Sequence, residues 1–559
     1  MAELKEKKNI KIYTRLDEIY SIKSIEESIE SQYEDLRSKY NFLYKTDPTT
    51  IIRVPFTATL FGDTVTQLFS NKIVTNLSSE LILIFKRNTT NELNVKYFDN
   101  IQQIKKAVGE LNISIKEEFN LNDFAILGYL SALKQIKSNN NNFGSDILIM
   151  LNNPNREEID CYISIFLAMF LCCLYINDIE SIYNNTINKS SLYEMVILTL
   201  TELCEQNKYL KNLININYYT PDIYFKIFLE KNSFGFNQGN LFYQSPISLN
   251  NTPLSLLVFD SLSPEPIKYY SSSKYWNKRK VEVRLAMALM IKRFKDNMSQ
   301  EELIKNASTI DNFLKVFENN YEIVLKSIDI YLKKEKYNLS ELKAELPVEK
   351  LLKDINNFQG ALLTKEFKLY DRIIFIIKEY QLISLLYYKM KIGEKVNWID
   401  IILESAKLLR ENYYCYSDEM LNIEAELKIN IGDNIPIKCI SKGWTGKMVI
   451  FGTNQELTKI ENYIYKKYEK LVDNNEENAL ANVWISDDIN KYCFISELEK
   501  GVTILDPKYE GFMLDYAKEK NIIKPIQVEE KIKEKEEEKE KKDENEEIES
   551  DKEKKKKNE

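Results

Sequence analysis

Two apolar segments lie close together near residue 150, and they organise our interpretation of the chain. Ile147 to Leu151 is wholly apolar, a polar turn follows, and Ile159 to Ile176 is apolar at most positions. A short apolar run before a long one predicts a buried strand that leads into a buried helix. The free backbone N–H groups at the start of such a helix point toward the turn, where a phosphate group could bind.

The residues of that turn argue against a working phosphate site. A phosphate cradle needs glycines for close backbone approach and small hydroxyl residues for a metal ion. The turn and the start of the helix instead carry Arg156, Glu157, Glu158 and Asp160. The sequence therefore predicts a phosphate site that has lost its chemistry.

The run from Ile159 to Ile176 is also near the shortest length that spans a bilayer. Asp160 near its start, the strand directly before it and the absence of a basic flank favour a buried helix of the protein core instead. We therefore expect no membrane partner.

The rest of the first half alternates between strand and helix patterns. Apolar side chains at helical spacing predict helices over 25–44, 101–106, 121–135 and 191–213. Strands are predicted at 51–60, 80–86 and 253–259, with a hairpin over 234–244. We expect Asn122 or Asp123 to cap the helix at 121–135.

The second half is mostly helical. Helices are predicted over 276–296, 300–335, 347–357, 366–389, 398–411, 418–429 and 456–472, and strands over 437–440, 447–451 and parts of 480–506. The expected fold is α+β with two lobes and a cleft between them. We predict a flexible lead at 1–24, an N-terminal lobe at 25–265, a C-terminal lobe at 266–525 and a disordered charged tail at 526–559.

The sequence contains no histidine. Ser-His-Asp and Cys-His nucleophilic chemistry, histidine metal ligands and imidazole general bases are therefore excluded. Any catalysis must use carboxylates, lysines, arginines and hydroxyls.

The net charge and the spacing of the cysteines argue against several classes of partner and binding site. The formal net charge of −8 offers no basic footprint for nucleic acid, so we expect no nucleic-acid partner. The seven cysteines include no CxxC pair, which suggests neither a disulfide framework nor a zinc site. Met1 to Lys8 is charged without an apolar segment behind it, and we expect a cytoplasmic protein.

Three motifs occur in an order typical of one enzyme family. They lie in Arg53–Asp63, Tyr275–Ala286 and Ser441–Gly446. Their matching residues are Pro55, Leu60 and Gly62, then Asn277, Arg279, Glu282 and Arg284, then Gly443, Trp444 and Gly446. The motifs resemble those of the galactokinase and N-acetylgalactosamine kinase family of GHMP sugar kinases, and the resemblance extends over roughly residues 25 to 520.

The resemblance implies a two-lobed GHMP-kinase-like fold and a reaction that transfers the γ-phosphoryl group of ATP to the anomeric hydroxyl of a sugar. It also implies roles for individual residues. The catalytic aspartate would be Asp222, the sugar-binding residues Asp63, Thr64, Thr66 and Trp276, and the nucleotide-binding residues Pro154, Arg156 and Asp160. Asp222 equally fits an ordinary loop aspartate, because the glycines that precede the family's aspartate are absent.

The functional hypothesis depends on the positions at which this sequence differs from the family. Thr57 stands where the family has an arginine beside the reacting groups, and Lys208 stands where it has a carboxylate that binds the metal. We therefore expect a catalytically impaired pseudokinase with a structural or interaction role, no metal ligands and no cofactor.

Two alternatives remain open. The first is an active kinase that phosphorylates the anomeric hydroxyl of galactose or N-acetylgalactosamine with MgATP. The second is a non-catalytic sugar sensor. These hypotheses leave two kinds of partner open, a protein and a hexose.

Overall fold

The computed structural model describes most of the 559-residue chain. The described residues are 9–20, 29–62, 71–99, 103–112, 119–136, 143–152, 159–214, 216–238, 241–249, 252–260, 274–355, 358–364, 366–394, 396–432, 435–440, 447–473 and 493–505. Contacts between residues divide the chain into a small unit, residues 12–50 with 505–559, and a large unit, residues 1–11 with 51–504.

The strands are β1 (Ile12–Tyr13), β2 (Thr50–Phe61), β3 (Lys72–Arg87), β4 (Glu92–Tyr97), β5 (Gln103–Ala107), β6 (Ser145–Leu151), β7 (Ser233–Gln238), β8 (Leu241–Pro246), β9 (Ser248–Leu249), β10 (Thr252–Pro253), β11 (Ser255–Asp260), β12 (Tyr337–Asn338), β13 (Glu366–Phe367), β14 (Ile437–Cys439), β15 (Lys447–Gly452), β16 (Cys493–Ser496) and β17 (Thr503–Leu505).

The helices are α1 (Glu30–Tyr44), α2 (Leu121–Gln135), α3 (Ile159–Asn177), α4 (Ile179–Tyr183), α5 (Lys189–Gln206), α6 (Lys208–Leu213), α7 (Ile216–Phe228), α8 (Lys274–Phe294), α9 (Gln300–Asn306), α10 (Ile310–Val316), α11 (Tyr321–Tyr331), α12 (Leu339–Glu345), α13 (Val348–Leu352), α14 (Phe358–Leu362), α15 (Leu369–Lys391), α16 (Trp398–Leu408), α17 (Asp418–Ile431) and α18 (Asn454–Asp473). Short 3-10 helices occur at Leu16–Glu18 and Val108–Glu110, and a π-helix occurs at Leu409–Tyr413.

The small unit is built on α1, which buries Tyr33, Leu36 and Tyr40 on one face. This spacing of three and four residues is the helical pattern that predicted the element. The hydroxyls of Tyr20 and Tyr33 lie 2.8 Å apart and hydrogen-bond.

The large sheet of the large unit has the strand order β17-β2-β3-β6-β4-β5, and β7 and β8 continue from β3. The predicted apolar strand is confirmed as β6. It pairs antiparallel with β3, where Ile149 is opposite Leu83, and parallel with β4, where Ile147 is opposite Val95. Both faces of β6 are therefore buried, as its unbroken apolar run predicts.

The predicted apolar helix is confirmed as α3, which packs against β3 and against α2. By length and composition α3 is the described helix that could cross a membrane, but 83% of its apolar window is buried inside the protein. The two helices approach closely because α2 has Gly128 where it meets Phe166 of α3. The interpretation of α3 as a core helix is therefore supported.

The second half combines helices with a sheet of order β14-β15-β11-β16, all antiparallel. Its long central helices, α8 and α15, pack against each other and bury apolar side chains on several faces. The α+β class predicted from the sequence is confirmed. The boundary predicted at residue 265 stays a prediction, and the charged tail at 526–559 lies outside the described residues.

The helix predicted over 101–106 is wrong, because Gln103–Ala107 forms β5 and pairs antiparallel with β4. Ile104 is buried while Lys105 and Lys106 are exposed. A strand at the edge of a sheet needs only one buried side chain to attach it, and so short a pattern cannot be distinguished from a helical turn.

The helix predicted over 191–213 is two helices, α5 and α6. Asn207 ends the first, and its side chain caps the second by accepting from the backbone N–H groups of Tyr209 and Leu210. The region predicted as one helix over 300–335 is likewise divided, into α9, α10 and α11, by the caps Thr309 and Asn320. An asparagine or threonine inside an apolar period can start a new helix, and the period alone does not reveal it.

The prediction that Asn122 or Asp123 caps α2 is also wrong. Asn120 caps the helix, and Asp123 completes a capping box by accepting from the Asn120 backbone N–H at 3.0 Å. The predicted hairpin over 234–244 is confirmed as β7 and β8.

Replacing Gly128 with alanine should lower the free energy of unfolding by about 1 to 3 kcal/mol, because overpacking forces the backbones of α2 and α3 apart. The added Cβ would lie 2.4 Å from the backbone oxygen of Phe166. Equilibrium urea unfolding measures the change. Gly109→Ala is the control, since a Cβ at Gly109 meets nothing within 4 Å. Equal midpoints for the two variants would contradict the close packing.

Candidate functional site

One face of β2 carries polar side chains that contact two of the predicted site residues, Asp160 and Asp222. Ala58 and Leu60 of β2 belong to an apolar core that also contains Leu256 of β11. Successive side chains of a strand point to opposite faces, so Thr57 and Thr59 lie on the other face. There they contact side chains of α3 and α7.

Asp160, the second residue of α3, is held by three groups. It accepts hydrogen bonds from the backbone N–H of Thr57 at 3.0 Å and from the Thr57 hydroxyl at 2.8 Å. The ammonium of Lys226, on α7, lies 3.0 Å from the carboxylate and donates to the carbonyl oxygen of Pro55 at 2.7 Å. The Lys226 side chain is fully buried, and that of Asp160 is 17% exposed. An internal carboxylate thus lies at the start of α3, beside the cation that could attract a phosphate.

Asp222, also on α7, makes a second buried ion pair. One oxygen accepts from the Thr59 hydroxyl at 3.1 Å and the other from the Lys72 ammonium at 3.0 Å. A general base must have an oxygen that can take a proton from the substrate. Here both oxygens are bound to the protein and the side chain is 4% exposed, so the arrangement is that of a structural ion pair.

The two pairs are neighbours because Asp222 and Lys226 lie four residues apart on α7, on the same face of the helix. Their partners Thr59 and Thr57 lie two residues apart on β2. The alternative that Asp222 is an ordinary loop aspartate is wrong about its location, because the residue lies inside α7. The buried pairs therefore join β2, β3, α3 and α7.

A third buried group continues along β2. The Arg53 guanidinium is bound to Glu80 of β3, lies 3.2 Å from Glu499, and donates to the backbone oxygen of Lys500 at 3.2 Å. Burial raises the pKa of Glu499, against the opposing effect of Arg53. Gly501 then lies against the backbone of α7, where a Cβ would be 2.6 Å from the Lys226 oxygen. This part of the chain positions α7.

Most of the other predicted site residues lie outside the described residues. This applies to Asp63, Thr64, Thr66, Pro154 and Arg156, to Glu157 and Glu158 of the turn, and to the turn Gly443–Gly446. Trp276 is the third residue of α8 and Lys208 is the first residue of α6, but their side chains are not described. A shared cavity for Asp63, Trp276 and Asp222 stays a prediction.

The most specific sequence motif has a structural role in the fold. Glu282 of α8 accepts from Arg279 at 3.0 Å and from Arg372 of α15 at 2.8 Å. Arg284 binds Asp354 at 3.1 Å and the backbone oxygen of Leu351 at 3.2 Å. These charges hold α8 against its neighbouring helices.

Sequence reasoning missed Lys72 and Lys226. The available signal was a lysine within an apolar run: Lys226 stands between Phe225 and Ile227, four residues after Asp222. A lysine at a buried position requires an acidic partner, and the helical spacing supplied a carboxylate on the same face. The partner of Lys226 is nevertheless Asp160 from another helix, which the sequence could not indicate.

Within the described ranges, no group of three or more cysteine, aspartate and glutamate side chains could hold a metal ion. The seven cysteines are free and buried.

No family model matches the sequence, and no curated protein sequence matches it. Solved structures do match. The crystal structure of Lactococcus lactis galactokinase complexed with galactose aligns with a TM-score of 0.52 and 11% sequence identity, over 84% of this chain and 99% of that chain. The Methanococcus jannaschii mevalonate kinase aligns with a TM-score of 0.38 and 12% identity, over 74% of this chain and 94% of that chain. The first of these likenesses confirms the GHMP-kinase-like fold that the motifs predicted.

The Lys72–Asp222 pair should show strong coupling in a double-mutant cycle. Lys72→Met and Asp222→Leu each leave a buried charge without its partner and should cost about 3 to 5 kcal/mol of stability. The double variant should lose less than the sum, with a coupling free energy of about 1 to 3 kcal/mol measured by urea unfolding.

The matched control is the exposed pair Lys343 and Glu349, whose side chains are 47% and 61% exposed. Lys343→Met and Glu349→Leu should show much weaker coupling, since solvent screens exposed pairs. Additive losses at Lys72 and Asp222 would mean that the two charges do not stabilise each other.

Proposed function

We propose that this protein is a pseudokinase derived from a GHMP kinase, in which the phosphoryl-transfer centre has become a salt-bridged part of the core. In this proposal the protein works as a structural or interaction protein. The observation that carries the proposal is the position of Asp160, which binds Lys226 and Thr57 at the start of α3.

The first support for the proposal is electrostatic. Phosphoryl transfer is catalysed by positive charge and N–H donors arranged around the phosphates. A carboxylate about 6 Å from a phosphate charge, at an effective dielectric near 20, opposes binding by about 3 kcal/mol. Lys226 offsets part of this repulsion, but its ammonium is buried and paired with Asp160 and Pro55, so it is not available to contact a phosphate.

The contacts of Asp222, the candidate general base, are the second support for the proposal. Asp222 would have to release Lys72 or Thr59 before it could accept a proton from a sugar hydroxyl. Thr57 replaces the arginine that the resemblance implies beside the reacting groups. Loss of an arginine that stabilises the transferring phosphoryl group lowers rates by roughly 10³ to 10⁵.

The proposal predicts no MgATP binding by the unmodified protein in isothermal titration calorimetry up to about 1 mM nucleotide, a concentration that corresponds to a binding free energy near −4 kcal/mol. Asp160→Ser removes the competing carboxylate and frees Lys226, so nucleotide affinity should rise, by at most about a hundredfold. Turnover should stay absent because Thr57 remains.

Asp296→Ser is the control, since Asp296 is exposed after the end of α8 and the same substitution there should leave nucleotide affinity unchanged. Micromolar MgATP binding by the unmodified protein would refute the pseudokinase proposal. ADP release that depends on galactose or N-acetylgalactosamine, in the same sample, would replace it with an active sugar kinase.

A further inference from the structure

Two buried cysteines in the second half of the chain lie in contact. The sulfurs of Cys415 and Cys439 are 3.5 Å apart, and both residues are buried with free thiols. Cys415 precedes α17, Cys439 is the last residue of β14, and the two are 24 positions apart in the chain. The contact therefore joins two segments that are separated by a helix, and it places two reduced thiols side by side.

Further contacts hold the same two segments together. The backbone N–H of Cys439 donates to the hydroxyl of Tyr416 at 3.1 Å, and Tyr416 directly follows Cys415. The Cys415 thiol also donates to the backbone oxygen of Leu409 at 3.8 Å. The position of the pair is thus set by the packing of both segments and does not depend on one flexible side chain.

The backbone before Cys415 is unusual. The π-helix Leu409–Tyr413 ends directly before Tyr414, which has φ 55° and ψ 56°, a left-handed conformation that a tyrosine adopts only when its surroundings hold it there. Arg279 of α8 supports this turn by donating to the backbone oxygen of Tyr413 at 2.8 Å. Strained residues and π-helical turns occur often at functional sites. The strained turn fixes where Cys415 enters the core.

The pair is buried but lies close to the protein surface. Tyr414, directly before Cys415, is 43% exposed. β14 has three residues, and in the described part of the chain it is an outer strand of its sheet, paired with β15. Short elements at the edge of a domain open locally at a lower cost in free energy than its centre. A small reagent therefore needs only a local opening to reach the two sulfurs.

We propose that Cys415 and Cys439 are a redox modification site, at which hydrogen peroxide converts the two thiols into an intramolecular disulfide. The sulfurs of a disulfide are about 2.0 Å apart, so each sulfur would move by less than about 1 Å from its position in the reduced pair. This site does not depend on the proposed function, because the contacts that hold the pair involve neither Asp160 nor Asp222.

The reaction has two steps. The Cys415 thiolate attacks one oxygen of the peroxide, so an S–O bond forms, the O–O bond breaks, and the leaving hydroxide takes up the proton that Cys415 lost. The Cys439 sulfur then attacks the sulfur of the Cys415 sulfenic acid. The S–S bond forms, the S–O bond breaks, and the second hydroxide leaves as water with the proton of Cys439. The two thiols are oxidised to a disulfide, and the peroxide is reduced to two waters.

Two cations act on the thiol of Cys415, to which we assign the first step. Burial raises the pKa of this thiol well above its ordinary value, and the contact with Cys439 raises it further, whereas the charges of Arg279 and Lys438 oppose the rise. The thiolate is the nucleophile, so the two cations favour the reactive form of Cys415. Because the raised pKa keeps the thiolate a minor form, we expect oxidation over minutes to hours.

Mass spectrometry of the full chain after treatment with hydrogen peroxide tests the site. The folded protein should lose two hydrogen atoms, and digestion should yield two peptides linked through Cys415 and Cys439. Reversible oxidation should be at least about tenfold greater at this pair than at any other cysteine, because a neighbouring thiol traps the sulfenic acid as a disulfide. Dithiothreitol should restore both thiols. The oxidised protein should melt about 2 to 4 °C higher, since the bridge restricts the unfolded chain.

Cys439→Ser removes the second sulfur, so the bridge should be absent and Cys415 should be oxidised irreversibly to the sulfinic acid. Cys439→Ala tests the same loss without placing a hydroxyl in the core. Cys204→Ser is the matched control, because Cys204 is also buried and its thiol donates to the backbone oxygen of Ile214 at 3.7 Å. In this control the bridge should form at an unchanged rate.

The proposal would be overturned by a folded protein that keeps both thiols in peroxide, by a bridge that forms only in urea, or by oxidation spread evenly over all the cysteines. Asp160→Ser separates this proposal from the pseudokinase proposal. Nucleotide affinity should change in that variant, whereas the bridge should form as it does in the unmodified protein.

Discussion

The arrangement of the large unit depends on the ammonium of Lys226, which has no exposed surface and must be neutralised inside the protein. Asp160 supplies the charge, and the carbonyl oxygen of Pro55 supplies a further acceptor. This requirement positions the start of α3 against β2 and α7. Moving any of these elements would leave a charge buried without its partner, which costs far more than the pair itself contributes.

The same requirement recurs wherever this chain buries a charge. Lys438 binds Glu379 at 3.2 Å and the hydroxyl of Ser405, and its ammonium lies 3.8 Å from the centre of the Phe61 ring. Lys438 thus connects β14, α15 and α16. Buried polar groups need partners with good geometry, so each such group restricts how its elements can pack. In this protein charged side chains specify packing at several interfaces that apolar contacts alone would leave less defined.

The GHMP-kinase-like fold is therefore compatible with a centre in which the charges satisfy each other. A fold is maintained by its core and its element order, whereas catalysis depends on a few groups left available to the substrate. In the described residues around β2, the charged side chains of Asp160, Asp222 and Lys226 are bound to protein groups. In the motif of α8, Glu282 and its two arginines hold the helices together. Resemblance in a motif with this structural role identifies the fold and carries little information about activity.

The sequence by itself determined the elements that long apolar patterns specify. Unbroken apolar runs predicted β6 and α3, and helical spacing predicted α1, α2, α8 and α15. Burial of apolar surface is the dominant favourable term in the free energy of folding, and the order of apolar residues along the chain indicates which surface is buried. The absence of histidine likewise excluded whole classes of chemistry. Short elements were decided by the tertiary structure: β5 is a strand because β4 offers an edge, and α5 ends where Asn207 can cap the next helix. The ion pairs of the candidate site also depend on the tertiary structure. Lys226 lies 66 residues after Asp160 and Lys72 lies 150 residues before Asp222. The partner of a buried charge is set by which elements pack together, and no local pattern in the sequence encodes that choice.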